Sequence, residues 1–263
     1  MTAVLAPPDV DRLAMGRRQG RRVVGRIAGA VAAIALVCGA VVATLALLIG
    51  IPPWVGLVVA VLVGAGLWWG TVLPRLRGAD ERVLTLVGPA RPADPRAEAR
   101  LLNLVEGLSP AAGLPRPQCY VIDDASMNSL VFGRDPRVGW VIVTAGLLSR
   151  LSRMELEGVV AHALVQLRDG TTIAPTLELS LGPAGRLGRP LAPPPPATLI
   201  DTDAVSMTRY PPGLSAALRA IGVAGAGAPA APPGASPELA GLWLAAPGDR
   251  HSLAARIESL DEM

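Results

Sequence analysis

The chain has 263 residues, of which 51% are hydrophobic, 3% aromatic and 17% charged, and its mean hydropathy is +0.45. This composition excludes a disordered, highly charged protein and leaves room for one domain beside a membrane segment. All 24 basic side chains are arginine, and a net charge of +3, with no basic stripe interleaved with aromatic residues, argues against nucleic acid as a partner.

Two uncharged apolar runs, residues 27–51 and 53–73, follow a basic N-terminal segment, residues 1–26. Each run is long enough to cross the hydrocarbon core of a bilayer, which needs about 20 apolar residues. Only Pro52 and Pro53 punctuate the join, so the sequence predicts an antiparallel transmembrane hairpin. A cleaved signal peptide is disfavoured, because its apolar region spans only about 7–15 residues.

The placement of arginine predicts the orientation of this hairpin. Five arginines lie between residues 17 and 26, Arg75 and Arg77 follow the second run, and the turn between the runs has none. By the positive-inside rule, both ends of the hairpin are expected in the cytoplasm. The protein is therefore predicted to cross the inner or plasma membrane twice, with both termini cytoplasmic.

After a polar linker, residues 74–94, the remaining chain predicts an α+β domain over residues 95–263. Leucines at helical spacing in residues 95–109 predict an amphipathic helix. The β-rich runs at 119–123 and 140–144 predict neighbouring strands of a small antiparallel sheet.

Helices are also predicted at residues 203–221, interrupted by a pair of prolines, and at residues 250–262. Two segments rich in glycine and proline, residues 170–198 and 222–237, are expected to be flexible, with no packed element in the first. A capping box, Ser152 followed three residues later by glutamate, predicts a helix that ends before Gly170.

Three stretches match one family in order: residues 101–170, residues 201–221 and residues 253–263. They resemble the HtpX-type membrane zinc metallopeptidases, gluzincins related to the CAAX prenyl proteases, and the two N-terminal spans are also typical of that family. The resemblance implies an N-terminal transmembrane hairpin followed by a mostly helical, gluzincin-like metallopeptidase domain with a small antiparallel sheet.

The resemblance also implies where the zinc site of the family would fall. The family's active helix reads His-Glu-x-x-His, in which both histidines bind zinc and the glutamate is the general base. The aligned residues here are His162, Ala163, Leu164, Val165 and Gln166. One ligand is retained, the base is an alanine, and the second ligand is a neutral amide, which binds zinc poorly.

The third ligand of the family is the glutamate of a Glu-x-x-x-Asp segment. Aligning Asp203 with its aspartate places Leu199 at the ligand position. The resemblance further implies that Asp203 orients His162 through a hydrogen bond. Because two ligands and the base are replaced, no cofactor is expected, although the active relatives use zinc.

Four side chains could substitute for the missing ligands: Asp169, Asp201, Asp203 and His251. Asp169 shares a helix face with His162 but stands about 10 Å away by helical rise, too far to share one metal. A site made of His162 and a single aspartate would be weak and rich in water.

Asn128, Ser129 and Leu130 match a family segment that lies at an edge strand and pairs with the substrate backbone. Pairing of this kind needs no metal, so peptide binding could survive the loss of catalysis. The alternative is a turn asparagine followed by an ordinary strand. Cys119, at the start of another predicted strand, is expected to be a small buried hydrophobic residue rather than a nucleophile.

These features predict a membrane-anchored, catalytically inactive homologue of the family that binds or regulates polypeptide or membrane partners. The alternative is an active zinc endopeptidase of membrane protein quality control with non-standard ligands. A third hypothesis makes the hairpin the working part of the protein, with the domain as an appendage that regulates a membrane complex.

Overall fold

Two long apolar helices, α1 (Val10–Leu48) and α2 (Trp54–Leu67), form the predicted hairpin. α2 continues through a π-helical turn, Trp68–Val72, into α3 (Leu73–Arg77). Both spans are long and apolar enough to cross a membrane, and their large apolar side chains are mostly exposed, as a lipid-facing surface requires. The structure is a computed structural model that describes residues 10–188, 196–225, 231–248 and 250–263.

Small residues set the distance between the two spans. A Cβ atom added at Gly56 would lie 2.4 Å from the carbonyl oxygen of Gly39, and one added at Gly64 would lie 3.3 Å from Cβ of Ala35. Side chains larger than these would push the helices apart, and such close packing is common between transmembrane helices. The order of the contacts makes the two spans antiparallel.

Four short strands form one sheet: β1 (Ala90–Pro92), β2 (Gln118–Ile122), β3 (Ser129–Asp135) and β4 (Val138–Thr144). Their order is β1-β2-β4-β3. β1 pairs with β2, and β3 with β4, in the antiparallel sense, whereas β2 and β4 are parallel. The sheet is therefore mixed, and the predicted antiparallel pairing of the second and fourth strands is corrected, because β3 reverses the chain at the sheet edge between them.

The segment predicted as a linker, residues 74–94, is part of the packed domain. It forms α4 (Ala79–Val87), whose Val83 and Val87 are fully buried against one face of the sheet, and then the edge strand β1. The short apolar patch of this segment is thus the buried side of a helix.

The other helices form the larger layer on the opposite face of the sheet, with the main core between them. They are α5 (Ala99–Leu108), α6 (Ala145–Arg150), α7 (Arg153–Arg168), α9 (Ala197–Thr208), α10 (Pro211–Ala224) and α11 (Arg250–Asp261). The exception is α8 (Ile173–Ser180), which packs against α1 and on the side of the sheet that α4 covers. The predicted proline interruption separates α9 from α10, whose first turn holds both prolines.

The first Gly/Pro-rich segment contains packed structure, contrary to the prediction. It forms α8 and a 3-10 helix, Gly182–Gly188. The Thr172 hydroxyl donates to the carbonyl oxygen of Gly133, and the Thr176 hydroxyl accepts from the Gly133 N–H, both at 3.1 Å. This segment is therefore tied to β3. Residues 189–195, and residues 226–230 of the second Gly/Pro-rich segment, lie outside the described residues.

Residues 10–26, which the sequence presents as a separate basic segment, continue α1 and pack on the domain. A Cβ atom added at Gly16 would lie 2.3 Å from the carbonyl oxygen of Gly170, and Val23 is fully buried in a cluster with residues of α8. The domain and the start of α1 therefore lie at the same end of the hairpin, opposite the turn that joins the spans.

The contact at Gly16 gives a direct test of this docking. Gly16→Ala should lower the stability of the protein by about 1–3 kcal/mol, because its methyl group would overlap the backbone at Gly170. Gly25→Ala is the matched control on the same helix, since nothing lies within 4 Å of its added Cβ. Thermal unfolding in detergent should separate the two variants, and equal unfolding temperatures would contradict the docked arrangement.

Candidate functional site

α7 carries the candidate site, and the predicted capping box fixes its start. The backbone N–H of Glu155 donates to the Ser152 hydroxyl, and the backbone N–H of Ser152 donates to the Glu155 carboxylate. Most of the helix is buried in the main core. His162 is consequently held inside the domain, with 2% of its surface exposed.

His162 makes two short contacts. Its Nδ1 lies 2.8 Å from Oδ1 of Asp201 on α9, and its Nε2 lies 2.9 Å from Nε2 of Gln166, one turn along α7. Because the amide nitrogen of Gln166 is a donor, Nε2 is the acceptor and the ring proton lies on Nδ1, facing the carboxylate. This approach to Asp201 is bent, since Nδ1 has no partner with hydrogen-bond geometry.

The surroundings of His162 keep its ring neutral. Burial lowers the pKa of His162, the contact with Asp201 raises it, and the positive charge of Arg256 lowers it again. Burial prevails, so the pKa lies below its ordinary value and the imidazole is uncharged at neutral pH.

Asp201 is a buried carboxylate shared between His162 and an arginine of α11. Arg256 donates two hydrogen bonds to it, from Nε to Oδ2 at 2.7 Å and from Nη2 to Oδ1 at 2.8 Å. Burial alone would raise the pKa of Asp201, but the two hydrogen bonds from Arg256 and the close contact with His162 outweigh it and lower the pKa to about 2. α7, α9 and α11 therefore meet at one side chain that is charged at neutral pH.

Asp203 does not contact His162, which corrects the predicted pairing. Residues two apart on a helix point about 200° away from each other, so Asp201 and Asp203 cannot both face α7's histidine. Asp203 instead lies 2.8 Å from Arg12 of α1 and 2.7 Å from Arg168 at the end of α7.

The position of Asp201 shifts the Glu-x-x-x-Asp segment by two residues. Once its aspartate is Asp201, the glutamate position falls on Ala197, in the first turn of α9, rather than on Leu199. Leu199 is 44% exposed and points away from the site. A methyl group therefore stands where the third ligand of the family is expected.

The donor set around His162 does not fit a zinc ion. Catalytic zinc sites use three protein ligands, and within the described ranges no three His, Cys, Asp or Glu side chains are grouped closely enough to hold a metal. The Nε2 lone pair that a metal would need accepts the hydrogen bond from Gln166. Ala163, at the general-base position, has no group that accepts a proton.

The other candidate ligands have different surroundings. Asp169 is buried and forms ion pairs with Arg168 at 2.8 Å and with Arg12 at 3.2 Å. His251 is exposed at the start of α11. Neither side chain is brought to His162.

The predicted peptide-binding edge is covered by the chain itself. Ser129 and Leu130 begin β3, which is an edge strand of the four-stranded sheet as expected. Its outer side, however, pairs with residues 243–245: the N–H of Leu244 donates to the carbonyl oxygen of Ser129 at 2.7 Å, and Leu130 forms an antiparallel bridge with Trp243. The expectation of an open edge at these residues is corrected.

Asn128 holds the covering segment in place. Its Nδ2 donates to the carbonyl oxygen of Ala245 at 2.8 Å, and the N–H of Ala245 donates to its Oδ1 at 3.3 Å. Asn128 is fully buried. The side-chain amide of Asn128 therefore pairs with the backbone of Ala245 as a neighbouring strand would. Neither interpretation from the sequence, a turn asparagine or a substrate-binding residue, predicted this role.

Cys119 matches its expected role. It opens the buried part of β2, and burial raises the pKa of its thiol to about 11. Because only the thiolate is strongly nucleophilic, this side chain acts as a small packing group.

Sequence reasoning missed Arg256 and residues 243–245. An arginine inside an otherwise apolar helix stripe is a signal, because a buried guanidinium requires a carboxylate partner. The covering strand gives a weaker signal, a run of apolar residues, Leu242, Trp243, Leu244 and Ala245, that follows a segment of low complexity.

Together, the fold and the site define a class of protein: a hairpin of two candidate membrane helices joined to an α+β domain in which the described residues around His162 offer no set of three metal ligands. Curated relatives then show what the chain is similar to. A protein named Protease HtpX homolog from Dictyoglomus thermophilum is 47% identical over 91 residues, which are 35% of this chain and 30% of that relative. Relatives of the same name from Dictyoglomus turgidum and Acidiphilium cryptum are 52% identical over 69 residues and 41% identical over 110 residues.

Relatives of this name at 41–52% identity over part of the chain support membership of the HtpX-type family, as the sequence resemblance indicated. The matched regions are 26–42% of this chain and 23–37% of these three relatives, so the chain spans about a third of their length or less. No family model matches the chain.

The buried pair of Asp201 and Arg256 gives a prediction with a defined pH dependence. Asp201→Asn should destabilise the protein at neutral pH by about 3–5 kcal/mol, because it leaves Arg256 buried without its counter-charge. Since the pKa of Asp201 is about 2 in the folded protein and its ordinary value is 3.8, the wild-type carboxylate contributes fully above about pH 4 and loses its contribution as the pH falls towards 2.

The difference in unfolding temperature between wild type and Asp201→Asn, measured in detergent, should therefore shrink below about pH 4. Asp203→Asn is the control. Because the carboxylate of Asp203 is partly exposed, this substitution should lower the stability much less. If the difference in unfolding temperature between wild type and Asp201→Asn stayed constant down to low pH, the charge of Asp201 would not be the stabilising feature.

Asn128 gives a second prediction. Asn128→Ala should cost about 1–3 kcal/mol, because both backbone groups of Ala245 lose their partners in a buried position. The amides of residues 244 and 245 should then exchange with solvent faster, as hydrogen exchange can measure. Asn103→Ala, at an exposed position of α5, should change neither quantity. Unchanged exchange at these amides in Asn128→Ala would rule out the role assigned to its side chain.

Proposed function

We propose that this protein is a membrane-anchored, catalytically inactive homologue of the HtpX-type zinc metalloendopeptidases. The hydrogen bond between Gln166 and His162 carries the proposal. The residue at the second ligand position donates to the Nε2 atom through which the remaining histidine would bind zinc. Glutamine at position 166 thus removes one zinc ligand and occupies the other, His162, with a hydrogen bond.

The general-base position supports the same proposal. In a zinc peptidase the bound metal lowers the pKa of water to about 7 and a glutamate accepts its proton. Ala163 at that position is 4% exposed and contributes only a methyl group to the core. Neither step of water activation has a residue here to perform it.

The alternative, an active endopeptidase with non-standard ligands, would require His162 and Asp201 to share a metal. Asp201 is poorly placed for this, because Arg256 occupies both of its oxygens and adds a positive charge beside any cation. The alternative is disfavoured on these contacts.

We further propose that the domain lies in the cytoplasm, on the inner or plasma membrane. The support is the common position of the domain and residues 10–26 at one end of the hairpin, together with the arginines at that end. Both ends of the described chain then lie on the same side of the bilayer.

A polypeptide partner, in this proposal, does not bind in extended form along residues 128–130. Pairing there would require residues 243–245 to leave the sheet, and Leu244 and Ala245 belong to the main core. We propose that a partner binds the hairpin instead, in line with the hypothesis that the membrane helices are the working part of the protein.

Zinc content tests the proposal. Full-length wild type, purified in mild detergent without chelator or metal-affinity resin, should contain far less than one zinc per chain and should not cleave unfolded casein. Ala163→Glu, Gln166→His and Ala197→Glu combined should restore zinc binding, because they supply both missing ligands and the base at the positions that the structure indicates.

The matched control replaces Ala197→Glu by Leu199→Glu in the same triple variant. It should bind zinc more weakly by at least tenfold, because Leu199 faces solvent and leaves only two histidines at the metal. Casein cleavage by the wild type that a chelator abolishes would overturn the proposed inactivity. Equal zinc binding by the two triple variants would contradict the placement of the third ligand.

A further inference from the structure

α1 presents a row of arginines that the domain does not use. Arg17, Arg18, Arg21 and Arg22 are exposed, and none of them forms a hydrogen bond or ion pair within the described part of the chain. At about 100° per residue, the four side chains fall within one sector of the helix. A single face of α1 therefore carries four unneutralised positive charges.

The opposite face of α1 is the one that docks on the domain. Gly16 meets Gly170, Gly20 meets Ile173, and Val23 is buried with residues of α8. Arg12, further towards the start of the helix, is held by Asp169 and Asp203. These contacts fix the rotation of α1, so the arginine face is directed away from the domain.

The height of these arginines relative to the membrane follows from the uncharged run. This run begins at Ile27 and continues to Leu48, about 33 Å of helix, which matches a hydrocarbon core of about 30 Å. Arg21 and Arg22 then lie about 7–9 Å outside the core, in the headgroup layer. Arg17 and Arg18 lie about 14 Å outside it, within reach of that layer through their long side chains.

The second span brings two more arginines to the same height. Val72 and Leu76 pack with Val23 in one apolar cluster. Arg75 and Arg77 flank Leu76 and therefore lie level with Arg21 and Arg22. We name the six side chains the basic collar: Arg17, Arg18, Arg21, Arg22, Arg75 and Arg77.

We propose that the basic collar binds the headgroup phosphates of anionic phospholipids at the domain side of the membrane. Charge complementarity and continuity with the two spans support this occupant. Guanidinium groups form paired hydrogen bonds with phosphate oxygens, and clustered basic residues next to a span attract anionic lipid by on the order of fivefold for each residue near the surface.

The tryptophans next to the collar allow the proposal to be measured. Trp68 and Trp69 precede Val72 by about one turn, and Trp69 is 64% exposed. In a Trp54→Phe background, the lipid-exposed tryptophans are those beside the collar, because Trp140 and Trp243 are buried in the domain. Two vesicle preparations are compared, each a mixture of phosphatidylglycerol and phosphatidylcholine in which only one of the two lipids is brominated. The ratio of tryptophan quenching by brominated phosphatidylglycerol to that by brominated phosphatidylcholine then reports which lipid is bound there.

The reconstituted full-length protein should bind brominated phosphatidylglycerol at least fivefold more strongly than brominated phosphatidylcholine in low salt. The preference should approach one at 0.5 M salt, roughly where the screening length falls to a few ångströms. Arg17→Gln, Arg18→Gln, Arg21→Gln and Arg22→Gln combined should lose most of it, with circular dichroism to confirm folding.

The control variant combines Arg96→Gln, Arg137→Gln, Arg150→Gln and Arg153→Gln. It removes the same charge from exposed positions on the domain and should keep the preference. A wild type without preference, a collar variant that retains it, or equal losses in both variants would overturn the proposal. Loss of the preference on adding inorganic phosphate at constant ionic strength would also overturn it, by identifying a site for soluble anions instead.

Discussion

The arrangement of the domain depends on the buried charge of Asp201. Its carboxylate contacts His162 on α7 and receives two hydrogen bonds from Arg256 on α11, so three helices converge on one side chain. A charge inside a protein is tolerated only when it is paired and hydrogen-bonded. The pairing therefore constrains the positions of α7, α9 and α11.

The same arginine connects this centre to the edge of the sheet. Arg256 donates through Nη1 to the carbonyl oxygen of Leu244, the residue whose N–H pairs with Ser129 on β3. Asn128 holds the next residue, Ala245, from the other side. The covering of the edge strand and the charged centre are thus one connected network, which explains why residues 243–245 pack as part of the core.

Local patterns in the sequence predicted much of the fold. The hairpin, the capped start of α7 and the proline break between α9 and α10 depend on neighbouring residues, and the structure contains all three. The parallel pairing of β2 with β4, and the packing of α8 on β3, depend on residues distant in sequence, so composition and periodicity could not indicate them.

The candidate site shows the same limit on a smaller scale. The alanine at position 163, where the resemblance implies a general base, could be identified from the sequence directly, because the motif is local. Whether Asp201 or Asp203 faces His162 depends on the rotation of α9, and a shift of two residues reverses the side on which each lies. Only the geometry decides that Asp203 belongs with Arg12 and Arg168.

The acidic residues near α7 link the candidate site to the membrane hairpin. Asp169 and Asp203, both considered as replacement ligands, neutralise Arg12 of α1 and Arg168 instead. Their charges thereby hold the first membrane helix against the end of the helix that carries His162. A metal that drew either carboxylate away would take a counter-charge from Arg12 and loosen the docking of α1. The two aspartates therefore belong to the anchoring of the hairpin, whereas the contacts of His162 are made by Asp201 and Gln166.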